Sequence, residues 1–431
     1  MPPEDLTGFV YQSHAAATQL AQVKSKDRNQ LILDIAKAVK LEKDRILEAN
    51  TLDLEASRDM AIPDLVLEWL KLTPERLQHT IECLTHLAAM VDPLAIHMNY
   101  EGYRRVPIGT VAFVYEGFPQ LGLIAACMCF KVGNSIILKG GIEGSHSHTA
   151  IAQLVKTVLR DRGLSESSLT HVPQGSSIKD LVTQEKYLRL VIPYGRPSFV
   201  QQVSKQSTIA LLPTVMGNCY MYISPSGDLN LAQEIILNSR KGEPDPVNAI
   251  EKIIVHRSWL DKGLAEWIDK LQKQGLVVRG CDTTAVYYYR YTELLNEQYN
   301  EADRIKLPPN HGEIPSEGQW GLAYLDNTIA IKVVDSIDEA IAWINQYSSG
   351  HADVILTDSL PERHKFSSLV NSSTLYINAH NRFYRFGTIG ESGMLRIALG
   401  MSSLKSRGAS RYPGMIDLYA LTTTKHIITG N

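Results

Sequence analysis

Apolar residues recur at helical spacing through the first 90 residues. Between residues 10 and 50 they return every three or four positions with charged residues between them, which predicts a pair of amphipathic helices. A further helix is predicted for residues 63–72. Thr73-Pro74-Glu75 then provides an N-cap residue followed by proline at the first helical position, so the next helix is predicted to run from there to about Met90.

From residue 109 onward the pattern changes to short runs of β-branched and aromatic residues, each ended by glycine, proline or charge. These runs predict strands at 109–115, 134–141, 188–195, 208–213, 219–224 and 252–257. Helical segments alternate with them at 120–132, 146–162 and 229–239. Near-continuous apolar strands that alternate with helices are typical of a parallel sheet covered on both faces, so the first half is predicted to be a doubly wound α/β domain.

A second α/β stretch follows. Strands are predicted at 276–280, 328–334, 353–358 and 374–378, helices at 291–299 and 336–347, and a loop at 307–321. The strand-like run 417–428 near the end is typical of an edge strand that pairs with another subunit.

Composition narrows the classes of function. The formal net charge of -3 provides no general attraction for nucleic acid or an anionic membrane, so neither is predicted as a partner. The aromatic run 287–295 is therefore interpreted as packing rather than as a platform for bases. Five cysteines are too few and too scattered for a disulfide framework. The first residues lack the basic and apolar pattern of a signal peptide, and a cytoplasmic location is predicted.

Three local features carry candidate chemistry. ILKGG (137–141) is a strand followed by a turn before a helix, where backbone N–H groups can meet phosphate or ribose. His146 and His148 are too few for a structural metal site, and no metal is predicted. The loop in 238–256 is predicted to lie at a carboxyl sheet edge and offers Lys241, Glu243, Asp245 and Asn248, but no cysteine or serine between Gly242 and the strand.

The chain resembles the γ-glutamyl phosphate reductases, also called glutamate-5-semialdehyde dehydrogenases, of the aldehyde dehydrogenase superfamily. The resemblance runs nearly end to end, through EANTLDLEASRDMAI (48–62), VPIGTVAFVYEGFPQ (106–120), KVGNSIILKGG (131–141), NSRKGEPDPVNAIEKIIVHR (238–257), SSGHADVILTD (348–358), NAHNRF (378–383) and ALTTTKH (420–426).

The resemblance implies an aldehyde-dehydrogenase-like α/β fold of two doubly wound domains and a small β element for oligomerisation. A nucleotide-binding domain is expected over 1–240, with part of the oligomerisation element near 95–108. The catalytic domain is expected over 241–380, and a return segment with the C-terminal oligomerisation strand over 381–431. The family reduces γ-glutamyl phosphate to glutamate-5-semialdehyde with NADPH, in proline biosynthesis, through a cysteine thioester.

The residue at the nucleophile position departs from the family. The family's Pro-Gly-Val-Cys-Asn-Ala appears here as Pro244-Asp245-Pro246-Val247-Asn248-Ala249, so Val247 stands where the cysteine is expected. Valine has no lone pair with which to attack a carbonyl, and the thioester route cannot run through this position.

Other departures surround the same chemistry. The family's Tyr-Glu-x-Arg-Pro-Asn reads Tyr115 to Gln120 with Phe118 in place of arginine, and Ile-Pro-Arg-Gly-Gly reads Ile192 to Arg196 with Tyr194 in place of arginine. The family's Gly-x-Cys-His string has Cys219 followed by Tyr220, and its Glu-Tyr-Leu-Asp begins here with Ala323. The matches that remain imply cofactor contacts from Lys139, Gly140, Gly141, Glu116 and Gly195, and substrate-side contacts from Asn248 and Arg382.

Three interpretations follow. In the first, the chain is a homologue without the family's activity that forms a homodimer or homotetramer and regulates or scaffolds a partner enzyme of proline biosynthesis. In the second, it is an active reductase with another nucleophile, for which Cys219 is the local candidate. In the third, it is an enzyme or ligand-binding protein of altered specificity, whose pocket is lined by Phe118, Tyr194 and Tyr220. The resemblance implies NADP(H) as cofactor, and the departures make its binding an open question.

Overall fold

The chain folds into two compact α/β units. The computed structural model describes residues 6–96, 102–173, 175–281, 283, 317–389, 394–405 and 413–430. The first unit comprises residues 1–214, 384–402 and 406–431, and the second comprises 215–383 and 403–405. The predicted boundary at residue 240 differs from this division because the strand at 219–223 pairs with the one at 250–256 inside the sheet of the second unit.

The first unit begins with five α-helices. The sequence pattern predicted four, because it assigned two helices to residues 10–50 where the structure has three. Thr73 caps the fifth helix as predicted, since its hydroxyl accepts a hydrogen bond from the N–H of Arg76. The nine helices of this unit that the described residues contain are α1 Leu6–Leu20, α2 Ser25–Leu41, α3 Lys43–Ser57, α4 Asp64–Leu70, α5 Pro74–Ala89, α6 Pro119–Lys131, α7 Ser145–Asp161, α8 Ile178–Val182 and α9 Pro197–Gln206.

The central sheet of the first unit is parallel with the order β4-β3-β2-β5. Its strands confirm three of the predicted runs, whereas the run 208–213 contributes only an isolated bridge from Leu211 to Val191. The strands up to the unit boundary are β1 Tyr103–Pro107, β2 Thr110–Tyr115, β3 Ser135–Gly140, β4 Leu169–His171, β5 Leu190–Tyr194 and β6 Thr214–Val215.

The second unit has a six-stranded parallel sheet with the order β12-β11-β7-β8-β10-β9. Alternate residues of β7 enter two separate hydrophobic clusters, with Met221 in one and Tyr222 in the other, so both faces of the sheet are covered. Its elements are β7 Cys219–Ile223, α10 Leu229–Asn238, β8 Ile250–His256, α11 Leu264–Lys273, β9 Val277–Gly280, α12 Glu317–Trp320, β10 Thr328–Val334, α13 Ile337–Tyr347, β11 Asp353–Leu356, α14 Leu360–Leu369 and β12 Leu375–Ile377.

The chain then returns to the first unit in short strands. β13 Phe386–Ile389 and β14 Met394–Ile397 form a hairpin, which the sequence pattern did not predict. β15 Met401–Ser402 pairs with β16 Gly414–Met415. β17 Thr422–His426 pairs antiparallel with β1 in a two-stranded ribbon. The predicted helix at 291–299, the aromatic run 287–295 and most of the predicted loop at 307–321 lie outside the described residues. No helix among the described residues is long and apolar enough to cross a membrane.

Candidate functional site

The predicted cofactor residues of the first unit meet at the carboxyl edge of its sheet. β2 is flanked on one side by β3 and on the other by β5, so its end is the point where the strand order reverses. In this register Tyr115, the last residue of β2, lies opposite Gly140 and Tyr194. Glu116, Gly140 and Gly195 are therefore brought together, although they are far apart in the sequence.

Glu116 occupies the start of helix α9. One carboxylate oxygen accepts a hydrogen bond from the backbone N–H of Arg196 at 2.9 Å, and the other accepts one from the Arg196 guanidinium at 2.6 Å. The same carboxylate lies against Gly195, where a Cβ atom would come within 2.6 Å of it. This hydrogen bonding raises the pKa of Arg196 above its usual value. The N–H group that a phosphate would use at this helix start is already paired.

The Gly140-Gly141 turn is also filled by side chains of this chain. A Cβ atom at Gly141 would lie 2.1 Å from the carboxylate of Glu143, and one at Gly140 would lie 2.1 Å from the ring of His148. Glu143 also accepts a hydrogen bond from the N–H of Gly117 at 2.7 Å. Burial lowers the pKa of His148 to about 3, so its ring is neutral.

Helix α7, which follows this turn, is capped in the same way. The two carboxylate oxygens of Asp53 accept hydrogen bonds from the N–H groups of His146 and Ser147, both at 2.8 Å. The bond to His146 supports its interpretation as part of a helix start. Among the described residues, no group of three His, Cys, Asp or Glu side chains could hold a metal ion.

Lys139 is the residue at this edge that favours an anion. Its side chain is nearly buried, and its ammonium makes no hydrogen bond or ion pair within the described part of the chain. Burial lowers its pKa, while the carboxylate of Glu143 acts in the opposite direction. Two cations, Lys139 and Arg196, stand against three carboxylates that already occupy backbone donors, those of Glu116, Glu143 and Asp53, and Arg196 is itself paired with Glu116. The arrangement does not fit the pyrophosphate of a dinucleotide, because each phosphate would have to lie beside a carboxylate that already accepts from the same backbone N–H groups.

The two aromatic replacements in the first unit hold an arginine from the return segment. Phe118 has φ +42°, a backbone conformation that is unusual for a bulky residue, and it stacks on Trp69 with ring centroids 5.1 Å apart. The guanidinium of Arg385 lies 5.6 Å from the ring centre of Tyr194 and donates to its hydroxyl at 3.1 Å. Phe118, Tyr194 and Tyr220 are each at most 1% exposed, whereas the altered-specificity interpretation places them on the wall of a pocket.

In the second unit, the position that aligns with the nucleophile lies at the amino edge of the sheet. Val247 precedes β8, Cys219 begins β7 and His351 precedes β11, and these three strands are neighbours in parallel. The prediction that the loop 238–256 leads to a carboxyl edge was therefore wrong, since this loop enters β8 at its start. Val247 is only 1% exposed.

The backbone carbonyl of Val247 fixes the tautomer of His351. This oxygen lies 2.8 Å from Nε2 of His351, and because a carbonyl only accepts, Nε2 carries the proton. Burial lowers the pKa of His351 to about 4, so the ring is neutral and its Nδ1 accepts from the hydroxyl of Ser349 at 2.9 Å. Both ring nitrogens are thus engaged.

Cys219 has a histidine beside it but no base. Its sulfur lies 3.3 Å from Nε2 of His351, which is the protonated nitrogen. The thiol is fully buried, and burial raises its pKa well above the usual value. A thiolate, not a thiol, is the nucleophile in acyl transfer, and thiolates form where a cation or a base lowers the pKa. The environment of Cys219 instead raises its pKa and keeps it a thiol.

The predicted substrate-side residues lie in the same unit. The side-chain amide of Asn248 donates to the carbonyl of Asn381 at 2.7 Å, and Asn381 donates in return to the carbonyl of Asn248 at 2.9 Å. Arg382 lies against Gly242, where a Cβ atom would come within 2.5 Å of its guanidinium. Gly242 has φ +98°, a backbone conformation that favours glycine.

Glu251 organises the backbone around this site. It is fully buried and accepts hydrogen bonds from the N–H groups of Asn218, Tyr324 and Leu325 at 2.7–2.9 Å. Its carboxylate lies 3.7 Å from the ammonium of Lys252, which is also fully buried. Ala323, which stands where the resembled family has a carboxylate, precedes two of these three donors.

Sequence reasoning missed several of these residues. His351 lies in SSGHADVILTD, which carried the resemblance, but its role depends on a carbonyl about a hundred residues away in the chain. Arg196 is visible as a departure from glycine, and its pairing with Glu116 could have been inferred from opposite charges after two neighbouring strands. Glu251 stands between Ile250 and Lys252 at the start of a strand and gives no local signal.

The comparisons with known proteins agree with this architecture. The sequence profile of the aldehyde dehydrogenase family matches residues 2–285. A protein of Synechocystis sp. named gamma-glutamyl phosphate reductase 2 is 41% identical over 414 residues, which cover 94% of this chain and 92% of that protein. The gamma-glutamyl phosphate reductase of Gloeobacter violaceus is 33% identical over 439 residues, 99% of this chain and 97% of the relative.

Solved structures show the same fold. The crystal structure of the gamma-glutamyl phosphate reductase of Thermotoga maritima aligns with a TM-score of 0.83 at 28% identity and covers 99% of both chains. A structure of a probable aldehyde dehydrogenase from Listeria monocytogenes aligns with a TM-score of 0.66 at 14% identity over 98% of this chain and 96% of that one. The predicted α/β fold of the aldehyde dehydrogenase type is confirmed.

Proposed function

The chain belongs to the aldehyde dehydrogenase family and, within it, to the gamma-glutamyl phosphate reductases, and from this premise we propose that it is a member that does not carry out the family's acyl transfer. One observation carries the proposal. The side chain at the nucleophile position is that of Val247, and the thiol beside it, Cys219, is buried next to the protonated nitrogen of His351. Neither side chain can attack an acyl phosphate.

The reactivity of the cysteine thiols tests whether Cys219 is available as a nucleophile. Four of the five cysteines are buried and Cys281 is partly exposed, so native protein is expected to react quickly with a disulfide reagent at Cys281 alone. Cys219 is expected to react at least about 10³-fold more slowly than in unfolded protein, because it must first become exposed. Absorbance after adding dithiobis(nitrobenzoate), with and without guanidinium, measures both rates.

The matched variants for this titration are Cys281→Ser and Cys219→Ser. Cys281→Ser should abolish the fast phase, and Cys219→Ser should leave it unchanged. A fast phase that disappears in Cys219→Ser would show an accessible nucleophile and would refute the proposal.

NADP(H) is the cofactor that the family implies, and we propose that this chain binds it weakly. Lys139 would remain available to an anionic group of the cofactor, and the bound cofactor would supply or accept hydride. Support for weak binding comes from the carboxylates of Glu116 and Glu143, which occupy the N–H groups of Arg196 and Gly117.

The Glu116 carboxylate makes this weak binding testable. Wild-type protein is expected to bind NADPH with a dissociation constant of about 1 mM or weaker, and Glu116→Gln is expected to bind about tenfold more tightly, since the substitution removes a negative charge beside the pyrophosphate position. Fluorescence titration of NADPH measures both. Glu48→Gln, an exposed site on α3, is the control and should match wild type. Micromolar binding by wild type would contradict the account.

We further propose that the chain acts as an oligomer, through which it regulates or scaffolds an active enzyme. β1 and β17 pair with each other, and among the described residues neither strand has a partner on its other edge. A two-stranded ribbon is marginally stable alone and offers edges for pairing with a second subunit. Light scattering of the purified protein, alone and mixed with an active gamma-glutamyl phosphate reductase, measures the masses of the assemblies.

A further inference from the structure

A cavity of about 670 Å³ lies in the first unit and shares no lining residue with the sites described above. Its walls are the end of α5 with the segment that follows it, the β13–β14 hairpin at Arg396 and Ile397, and the turn Asp417–Tyr419. Most of the lining is apolar, and the volume is in the range of small-molecule sites. The cavity is large enough for an organic ligand of moderate size.

Buried charged side chains fix the wall formed by the end of α5 and the segment that follows it. The ammonium of Lys131 donates to the carbonyl of Ala88 at 2.9 Å and to that of Met90 at 2.6 Å. Two residues farther on, the carboxylate of Asp92 pairs with the guanidinium of Arg28 at 2.5 Å, and both side chains are 5% exposed. The segment that carries Met90 and Pro93 is therefore fixed in place before any ligand arrives.

The opposite wall is a capped turn. One carboxylate oxygen of Asp417 accepts hydrogen bonds from the N–H groups of Tyr419 at 2.9 Å and Ala420 at 3.3 Å. Leu418, which follows Asp417, is buried. The guanidinium of Arg105 lies over the ring of Tyr419, 4.9 Å from its centre. This wall is likewise set by contacts of the chain with itself.

Two opposite charges face this apolar space. Arg396 and Asp417 both line the cavity, and Arg396 is an exposed residue. Burial raises the pKa of Asp417, and the hydrogen bonds from the N–H groups of Ala420 and Tyr419 and the charge of Arg396 act against that rise. One cation and one carboxylate in an apolar cavity match a ligand that carries both charges and an apolar body.

We propose that this cavity binds a free α-amino acid with a large apolar side chain. The carboxylate of the ligand pairs with Arg396, its ammonium group pairs with Asp417, and its side chain packs among Met90, Ile96 and Leu418. The proposal is independent of acyl transfer, because none of these residues lies at the positions of Val247 or Glu116.

Calorimetric titration with L-leucine and L-phenylalanine tests the proposal. Leucinamide lacks the ligand's carboxylate and N-acetyl-leucine lacks its ammonium group, so each derivative is expected to bind at least about tenfold more weakly than leucine. Saturable binding of the free amino acids with this order supports the proposal. Absence of binding by both amino acids up to about 10 mM, or equal binding of the derivatives, would overturn it.

Two variants assign the charges. Arg396→Gln is expected to weaken leucine about tenfold and to leave leucinamide unchanged, since the amide has no carboxylate to lose. Asp417→Asn keeps an oxygen that can accept from Tyr419 and Ala420 but removes the charge, so it should weaken leucine and leave N-acetyl-leucine unchanged. Circular dichroism checks that both variants are folded. Folded variants that bind leucine as wild type does would refute the assignment.

Discussion

Mixed with glutamate-5-semialdehyde, phosphate and NADP⁺, the purified protein is expected to form NADPH at least about 10⁴-fold more slowly than a gamma-glutamyl phosphate reductase that has the cysteine. The reason is chemical. The family's route passes through a thioester, and Val247 cannot form one. The buried thiol of Cys219 faces a protonated nitrogen of His351 and has a pKa well above its usual value. Absorbance of NADPH over hours measures the rate.

Two variants complete this prediction. Cys219→Ser is expected to behave as wild type, because that thiol takes no part. Val247→Cys returns a thiol to the aligned position with little change in side-chain volume, and a rate that rises above wild type would assign the loss to this side chain. Turnover by wild type that disappears in Cys219→Ser would contradict the account and would identify Cys219 as the nucleophile.

Glu251→Ala is expected to lower the free energy of unfolding by about 3–5 kcal/mol. The substitution would leave three backbone N–H groups, those of Asn218, Tyr324 and Leu325, without their acceptor. It would also leave the buried ammonium of Lys252 without its counter-charge. Burial already lowers the pKa of Lys252 to about 8, so a further loss of negative charge nearby adds to the cost.

Glu251→Gln is the matched variant for this test. It keeps the shape of the side chain and one acceptor oxygen but removes the charge, so a smaller loss of about 1–3 kcal/mol is expected. Urea unfolding followed by circular dichroism gives the order of the three proteins. If Glu251→Ala unfolds within about 1 kcal/mol of wild type, Glu251 does not hold this part of the second unit together.

Much of the fold follows from hydrophobic spacing in the sequence. The strand predicted at 328–334 is the observed β10, and the helix at 146–162 differs from α7 by one residue at each end. The errors have physical causes. Residues 208–213 have the composition of a strand, but they pair with β5 through a single bridge, from Leu211 to Val191. The β13–β14 hairpin was missed because its short strands lack regular alternation.

The candidate site was less accessible to sequence reasoning. Position 247 could be identified from the string around it, since the resemblance is continuous there. The engagement of His351 by the carbonyl of Val247 could not, because it depends on the order of parallel strands β7, β8 and β11. The capping of α9 by Glu116 likewise requires the topology, which brings the ends of β2 and β5 together.

The most direct test of the central claim is the mass of the intact protein after exposure to γ-glutamyl phosphate. A glutamate kinase with glutamate and ATP supplies this acyl phosphate in place, and no nicotinamide cofactor is added, so weak cofactor binding does not affect the outcome. Wild-type protein is expected to keep its mass, while the reductase of Thermotoga maritima, run in parallel, gains the mass of one glutamyl group. A glutamyl group on the wild-type chain that is removed by hydroxylamine and absent from Cys219→Ser would contradict the account.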